Sequence, residues 1–179
     1  YVLHRAAEYL GFNVEEKKVI SCHIGNGASL AAIKYGKCVD TSMGLTPLEG
    51  LIMGTRSGDI DPSAILYIMD KEKMSIREAS NLLNKESGML ALSGVSSDMA
   101  EVAKAEAEGN RLARVANRMY NYRIKKYISA YMGALGGADY ILFTAGVGEH
   151  QWEMRQRCTE GLEFMGVKID EEKNKAAFG

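Results

Sequence analysis

Residues 19–43 decide the fold, and their sequence is VISCHIGNGASLAAIKYGKCVDTSM. Asn26-Gly27 separates two apolar runs, and this dipeptide is typical of a type I′ hairpin turn because both central residues of that turn need a positive φ. Tyr35-Gly36-Lys37 forms a second short connection. The stretch therefore predicts three consecutive antiparallel strands. These strands are 19–25, 28–36 and 37–43.

Helical signals lie on both sides of this stretch. Residues 2–10 predict a helix that ends at Gly11. Residues 44–61 are rich in Gly, Thr and Asp without a period, which predicts a long structured loop. Further helices are predicted to begin after capping residues. The capping signals are Asp61-Pro62, Ser75 with Glu78, and Asp98 with Glu101.

The longest periodic segment is 110–135, where apolar residues recur every three or four positions. This spacing predicts one long helix with a buried stripe, ended by Gly136-Gly137. The stripe consists of Leu112, Val115, Met119, Tyr122, Ile124, Ile128, Tyr131 and Leu135. Residues 139–146 then predict another strand, and a helix follows from about His150. The predicted order is β-β-β, helices, β, helix, which is an α/β arrangement.

Composition excludes several classes of protein. The chain has 179 residues with 22 Lys and Arg against 23 Asp and Glu, a balance that disfavours binding to nucleic acid or an anionic membrane. Neither 19–33 nor 127–138 is long and apolar enough to span a bilayer. The cysteines, Cys22, Cys38 and Cys158, are widely spaced and odd in number, which argues against a disulfide scaffold or a zinc site and favours the cytoplasm. A start at Tyr1 within a helical pattern predicts a piece of a longer protein.

The segment HIGNGAS (23–29) is the first candidate for chemistry. A glycine-flanked hairpin leaves backbone N–H groups at its tip, and such groups bind phosphate oxygens. His23 adds a further donor or a positive charge. A phosphate loop and a simple hairpin turn both fit this segment.

Arg56 is the second candidate, within DTSMGLTPLEGLIMGTRSGDIDP (40–62). Its planar fork of donors suits phosphoryl oxygens. An ion pair with Asp59 on the surface is the alternative. Asp61 fits a helix N-cap better than a water-mediated contact to Mg²⁺.

The third candidate is FTAGVGEH (143–150), where a strand ends in a Gly-rich turn that opens a helix. Phosphate or ribose binding fits a helix start at the carboxyl end of a strand, although a plain strand–turn–helix has the same pattern. Asp98 in SGVSSDMAE (93–101) suits either a nucleotide contact or a helix cap, and the cap is favoured.

These motifs and LNKESGMLALSGVSSDM (83–99), in this order and spacing, resemble the carboxyl-terminal half of the acetate kinase family over nearly the whole of 1–179. The resemblance implies a ribonuclease-H-like domain of the actin-like ATPase superfamily: a three-stranded antiparallel meander plus further strand(s), with flanking helices. It also implies that residues 1–179 are the carboxyl-terminal nucleotide-binding domain of a two-domain kinase, truncated at both ends.

The resemblance implies a role for each matching position. Arg56 matches an Arg that stabilises the transferring phosphoryl group, and Asp98 lies in the segment that lines the adenosine pocket. The phosphate-loop positions are His23, Gly25, Asn26 and Gly27. The adenosine-side loop positions are Gly146, Val147, Gly148 and Glu149. Two positions depart from the family's pattern: Ala100 stands where Arg is usual, and His150 where Asn is usual.

The implied activity is reversible phosphoryl transfer between ATP and acetate, which gives ADP and acetyl phosphate. Mg²⁺ is implied with ligands largely outside this chain, so no metal ligand is assigned within it. A homodimer formed through this half of the protein is implied as well, and the Met- and Tyr-rich helix 110–135 supplies apolar surface for it. A propionate or butyrate kinase remains an alternative. A non-catalytic nucleotide-binding or assembly module is another.

Overall fold

The computed structural model describes residues 1–177. The chain divides into two compact units. The first, here called the sheet unit, comprises Tyr1–Ser42 and the described residues from Asn121 onward. The second, here called the helical unit, is Met43–Tyr120.

A four-stranded sheet forms the centre of the sheet unit, in the order β3-β2-β1-β4. The strands are β1 (Lys18–Ile24), β2 (Ala28–Lys34), β3 (Lys37–Thr41) and β4 (Tyr140–Thr144). The first three pair antiparallel as a meander, whereas β4 pairs parallel to β1. Alternate residues of β2 are buried, as expected of a strand with one face in the core. The predicted strands and the mixed α/β class are confirmed.

The two-residue turn with positive φ lies in the second hairpin connection, not in the first where the sequence predicts it. Tyr35 (φ 54°) and Gly36 (φ 80°) lie between the paired residues Lys34 and Lys37, so the two-residue turn with positive φ lies there. Asn26-Gly27 does not adopt positive φ, and the type I′ prediction at this dipeptide is wrong. The reason is register: Ile24 pairs with Ala28, which leaves three residues at the tip instead of two.

Nine helices lie in the described part of the chain. They are α1 (Val2–Leu10), α2 (Pro62–Lys71), α3 (Ile76–Lys85), α4 (Gly88–Ser93), α5 (Met99–Ala107), α6 (Arg111–Leu135), α7 (Ala145–His150), α8 (Trp152–Thr159) and α9 (Glu171–Ala176). Gly11 ends α1 in the left-handed conformation, and Asp61 caps α2, as predicted. Ser75 and Glu78 form the predicted capping box of α3. Every helix within residues 1–177 falls short of the length and apolarity needed to cross a membrane.

The predicted stripe on α6 is correct only in its second half. Ile124, Ile128, Tyr131 and Leu135 are buried. The four residues of the first half are exposed instead: Leu112 (57%), Val115 (43%), Met119 (42%) and Tyr122 (64%). Small and polar residues are buried in their place, chiefly Ala113, Ala116 and Asn117. Alanine allows close helix packing but gives a weak apolar signal, so the larger residues on the outer face misled the prediction.

Candidate functional site

The carboxyl ends of β1 and β4 bring two of the predicted motifs to one edge of the sheet. His23 lies opposite Thr144 in the parallel register, and the His23 Nδ1 lies 3.0 Å from the Thr144 Oγ1. Because parallel strands end at the same edge, the loop that follows β1 and the helix that follows β4 are neighbours. The geometry therefore joins segments that are about 120 residues apart in sequence.

The connection 25–27 forms the first wall of this edge. The Gly25 N–H donates to the Gly27 carbonyl at 3.0 Å, which closes the tip on itself. Among residues 1–177, no acceptor is recorded for the backbone N–H groups of Asn26 and Gly27. Backbone donors of this kind, at a tip without bulky side chains, suit phosphate oxygens.

Helix α7 forms the second wall and contains Gly146, Val147, Gly148 and Glu149. A Cβ placed on Gly25 would lie 3.6 Å from the Ala145 Cβ, so the hairpin tip is in contact with the start of α7. Gly148 is buried, and a Cβ there would lie 3.6 Å from the Ile24 Cβ. The two glycine-rich motifs are thus packed against each other.

The helix predicted from about His150 is confirmed as α8, which begins at Trp152, but the Gly-rich turn predicted before it is itself helical. Helix α7 begins directly at Ala145, with φ 64° at that residue, and ends at His150. The Glu149 carboxylate accepts the N–H of Ala145 at 2.9 Å. Glu149 therefore caps its own short helix, and His150 places its Nδ1 2.9 Å from the Gly146 carbonyl.

Sequence reasoning missed Arg155, the buried residue that anchors α7. Its guanidinium donates to the carbonyls of Gly148 (2.9 Å) and Glu149 (2.6 Å). It also donates to the Asn174 side chain at 2.7 Å and to the carbonyls of Asn174 and Ala177. Loss of water around the group lowers the pKa of Arg155. A cation at the carbonyl end of a helix stabilises that end, so Arg155 fixes α7 against the sequence around α9.

Two cysteines of the sheet unit are buried and inert. Burial raises the pKa of Cys158 to about 12, and it also raises the pKa of Cys22. Thiols in this state are protonated at neutral pH, so they have a packing role. Cys38, in contrast, is exposed.

Arg56 lies in the helical unit, in the long loop that precedes α2. Its Nη1 donates to the Pro47 carbonyl at 3.2 Å and lies 3.4 Å from the Met53 Sδ. Those are its recorded side-chain contacts among residues 1–177, and neither partner is a carboxylate. The alternative of an ion pair between Arg56 and Asp59 is not what the structure shows. Asp59 instead accepts the Gly50 N–H at 2.8 Å and holds the loop.

The backbone around Arg56 is fixed by the segment that ends α3 and begins α4. Met89 N–H donates to Met53 at 2.9 Å, and Ser87 N–H donates to Thr55 at 3.0 Å. Ser57 N–H donates to the α3 carbonyl of Leu83 at 3.0 Å. Buried backbone groups in a loop need such partners. The guanidinium of Arg56 is therefore carried on a rigid loop.

Asp98 caps α5, as the favoured sequence interpretation predicted. Its Oδ1 accepts the N–H of Ala100 at 2.7 Å, and its own N–H donates to the Ser96 Oγ at 3.1 Å. The Asp98 side chain is exposed. The cap uses one carboxylate oxygen, and the adenosine-side role of Asp98 stays a prediction.

Within residues 1–177, no three His, Cys, Asp or Glu side chains lie close enough together to hold a metal ion. The donor groups are the backbone N–H groups of the 25–27 connection, the imidazole of His23 and, in the helical unit, the guanidinium of Arg56. This chemistry suits an anion better than a cation.

Comparison with solved structures defines the class of protein. The chain superposes on the crystal structure of acetate kinase from Porphyromonas gingivalis with a TM-score of 0.97 and 49% identity, covering 100% of this chain and 45% of that one. It superposes on a propionate kinase from Francisella tularensis with a TM-score of 0.92 and 43% identity, covering 98% of this chain and 45% of that one. The fold is that of acetate kinases, which belong to the actin-like ATPase class.

Sequence comparison then gives the family. The model of the acetokinase family matches residues 1–179, and the chain belongs to this family. It is 64% identical to the acetate kinase of Phocaeicola vulgatus over 98% of this chain and 44% of that protein. It is 59% identical to the acetate kinase of Bacteroides thetaiotaomicron over 100% of this chain and 45% of that protein. The chain thus spans less than half the length of these curated relatives.

Proposed function

We propose that this chain is the carboxyl-terminal nucleotide-binding domain of a two-domain acetate kinase. The observation that carries the proposal is the packing of the 25–27 hairpin tip against α7 at the carboxyl ends of two parallel strands. Backbone donors on one wall and a glycine-rich helix on the other suit the phosphates and ribose of a nucleotide. The relatives named acetate kinase support the substrate class.

The proposed reaction moves the γ-phosphoryl group of ATP to acetate. An acetate oxygen forms a bond to the γ-phosphorus, the bond from that phosphorus to the β–γ bridging oxygen breaks, and ADP leaves with the electron pair. Such transfer needs alignment and neutralisation of charge on the equatorial oxygens more than covalent help from the protein. The N–H groups of Asn26 and Gly27 and the imidazole of His23 hold the β- and γ-phosphates. Arg56 stabilises the charge on the group in transfer.

Mg²⁺ belongs to the proposed reaction as the partner of the nucleotide. When bound, it neutralises charge on phosphate oxygens. The described residues lack a cluster of three potential ligands, so this chain contributes phosphate donors rather than a metal cage.

A propionate kinase is the second candidate, favoured by the match to the Francisella tularensis enzyme of that name. The preference of the enzyme for an acceptor of a given chain length depends on a hydrophobic pocket. None of the residues assigned above forms such a pocket. A comparison of kcat/KM for acetate, propionate and butyrate in the full-length protein distinguishes the two. A kcat/KM for propionate more than about tenfold above that for acetate would make propionate the acceptor in the proposal.

The 179-residue chain by itself is expected to bind ADP weakly and to show no acetate kinase turnover. Positioning of two substrates needs both domains of the proposed kinase, and this chain is one of them. Calorimetry with ADP and a coupled assay for acetyl phosphate test the two expectations. His23→Ala is expected to weaken ADP binding roughly tenfold, because it removes a donor to a charged phosphate.

His4→Ala is the matched control, since His4 is an exposed imidazole on α1 outside the proposed site. Equal ADP affinity of the two variants would contradict the phosphate role of the hairpin. Robust turnover by the purified chain would contradict the proposed division of the active site. A chain that binds no ADP would favour the assembly-module alternative.

We also propose that the protein is a homodimer joined through the exposed apolar face of α6. Leu112, Val115, Met119 and Tyr122 recur along this face and are all more than 40% exposed. An exposed apolar row of this length is typical of an interface, and a twofold contact places the same row against itself.

Sedimentation at tens of micromolar, the order expected to populate a stable dimer, is predicted to give a dimer for the wild-type chain and a monomer for Met119→Lys. Leu66→Lys is the control, because Leu66 (64%) is an apolar residue on α2 that is more exposed than Met119 (42%) and lies outside the proposed interface. A wild-type monomer under these conditions would rule out the interface.

A further inference from the structure

We propose that Thr144 is a positioning residue for His23: its hydroxyl donates to Nδ1 and so keeps the single proton of the neutral imidazole on Nε2. The inference rests on the proposed function of His23 as a phosphate donor. It assigns to Thr144 a role in setting which ring nitrogen of His23 faces the nucleotide.

The register of the sheet fixes this pair. His23 and Thr144 are opposite one another at the ends of β1 and β4, and the Nδ1–Oγ1 distance is 3.0 Å. Cys22 and Ile24 on either side of His23 are fully buried, so the backbone that carries the imidazole is held in the core. The distance is that of a good hydrogen bond.

The N-capping bond expected of Thr144 is made by the side chain of Glu149 instead. Thr144 precedes α7, and a threonine at that position usually accepts an N–H of the first helical turn. Its hydroxyl makes no such bond here. The carboxylate of Glu149 accepts the first N–H of α7 instead. The hydroxyl of Thr144 is therefore left for the imidazole.

The direction of the hydrogen bond follows from the proton count. Neutral imidazole has one N–H, and a phosphate oxygen only accepts. If Nδ1 donated to Thr144, the lone pair of Nε2 would face the phosphate and repel it. If Thr144 donates to Nδ1, Nε2 carries the proton and donates to the phosphate. Within residues 1–177 no partner of His23 Nε2 is recorded, which leaves this atom for a ligand. In the protonated imidazolium both nitrogens donate, and the hydroxyl turns to accept.

Nitrogen-15 NMR of histidine-labelled chain tests the inference directly, because the two neutral tautomers have different ring shifts. The chain has 3 histidines, and the structure predicts different states for them. His23 is expected in the Nε2–H form. His150 is expected in the Nδ1–H form, because its Nδ1 faces the Gly146 carbonyl, which only accepts. His4 serves as the exposed reference.

Thr144→Val removes the hydroxyl with little change of shape, and Thr144→Ser keeps it. In the valine variant, the ring shifts of His23 are expected to move toward those of His4, where both tautomers are present. The His23 shifts of the serine variant and the His150 shifts of both variants are expected to stay unchanged. ADP affinity is expected to fall about 3- to 10-fold in Thr144→Val and to recover in Thr144→Ser. In the His23→Ala background, Thr144→Val is expected to have no further effect.

Three results would overturn the inference. The first is an Nδ1–H tautomer at His23 in the wild-type chain, and the second is a set of His23 shifts that does not change in Thr144→Val. The third is a loss of ADP affinity on Thr144→Val that is equal in the wild-type and His23→Ala backgrounds. The spectra decide the role of Thr144 even if the chain binds no ADP. A chain with the expected tautomer and no ADP binding would count against the proposed function alone.

Discussion

Arg56→Ala in the full-length kinase that we propose for this chain is expected to lower kcat roughly 100- to 1000-fold, with a much smaller change in the KM for ATP. Removal of one donor to a developing charge costs about 3–4 kcal/mol of transition-state stabilisation. The guanidinium is suited to this role because its recorded partners within residues 1–177 are a carbonyl and a sulfur, not a carboxylate. Its positive charge is thus not neutralised by the described residues around it.

Steady-state kinetics of three variants separates this role from a general loss of charge. Arg56→Lys keeps the charge but loses the planar fork, and it is expected to recover only part of kcat. Arg114→Ala on α6 removes an exposed arginine outside the proposed site and is expected to leave both constants unchanged. A kcat of Arg56→Ala within a few-fold of wild type would refute the assignment.

Local rules predicted most of the fold correctly. The three strands of the meander, the C-cap of α1 and the capping box of α3 depend on residues next to one another in the chain, so the sequence displays their signals directly. The sequence does not predict helix α4, because this helix has only six residues and no side-chain hydrogen bond at its N-cap. The turn type at Asn26-Gly27 was wrong because register, not the dipeptide, sets how many residues remain at a hairpin tip.

The candidate site was predictable in its parts and not in its assembly. The segments 23–29 and 143–150 each showed a glycine-rich pattern, but nothing local says that β4 lies parallel to β1. That pairing alone places His23 beside Thr144 and Gly25 beside Ala145. Arg155 could not have been found, because four of its five acceptors are the backbone carbonyls of Gly148, Glu149, Asn174 and Ala177, which every sequence has.

The loop that carries Arg56 depends on Gly88, the first residue of α4. Gly88 has φ +62°, and a Cβ there would lie 2.2 Å from the Met53 carbonyl oxygen and 2.8 Å from that of Arg56. Both neighbours are backbone atoms, so relief requires a shift of the loop or of α4. The Met89–Met53 hydrogen bond would be lost in either case. Gly88 therefore allows the close approach that keeps Arg56 in place.

Gly88→Ala is expected to lower the free energy of unfolding of the chain by roughly 3 kcal/mol or more, through steric overlap added to left-handed strain. Gly94→Ala is the matched control at the other end of α4. Gly94 has nearly the same φ, +63°, but its nearest atom is a side-chain carbon of Leu112 at 4.0 Å. This control is expected to cost about 1 kcal/mol, from backbone conformation alone. Urea unfolding of both variants measures the difference, and equal midpoints would show that the contact with the Arg56 loop carries no stability.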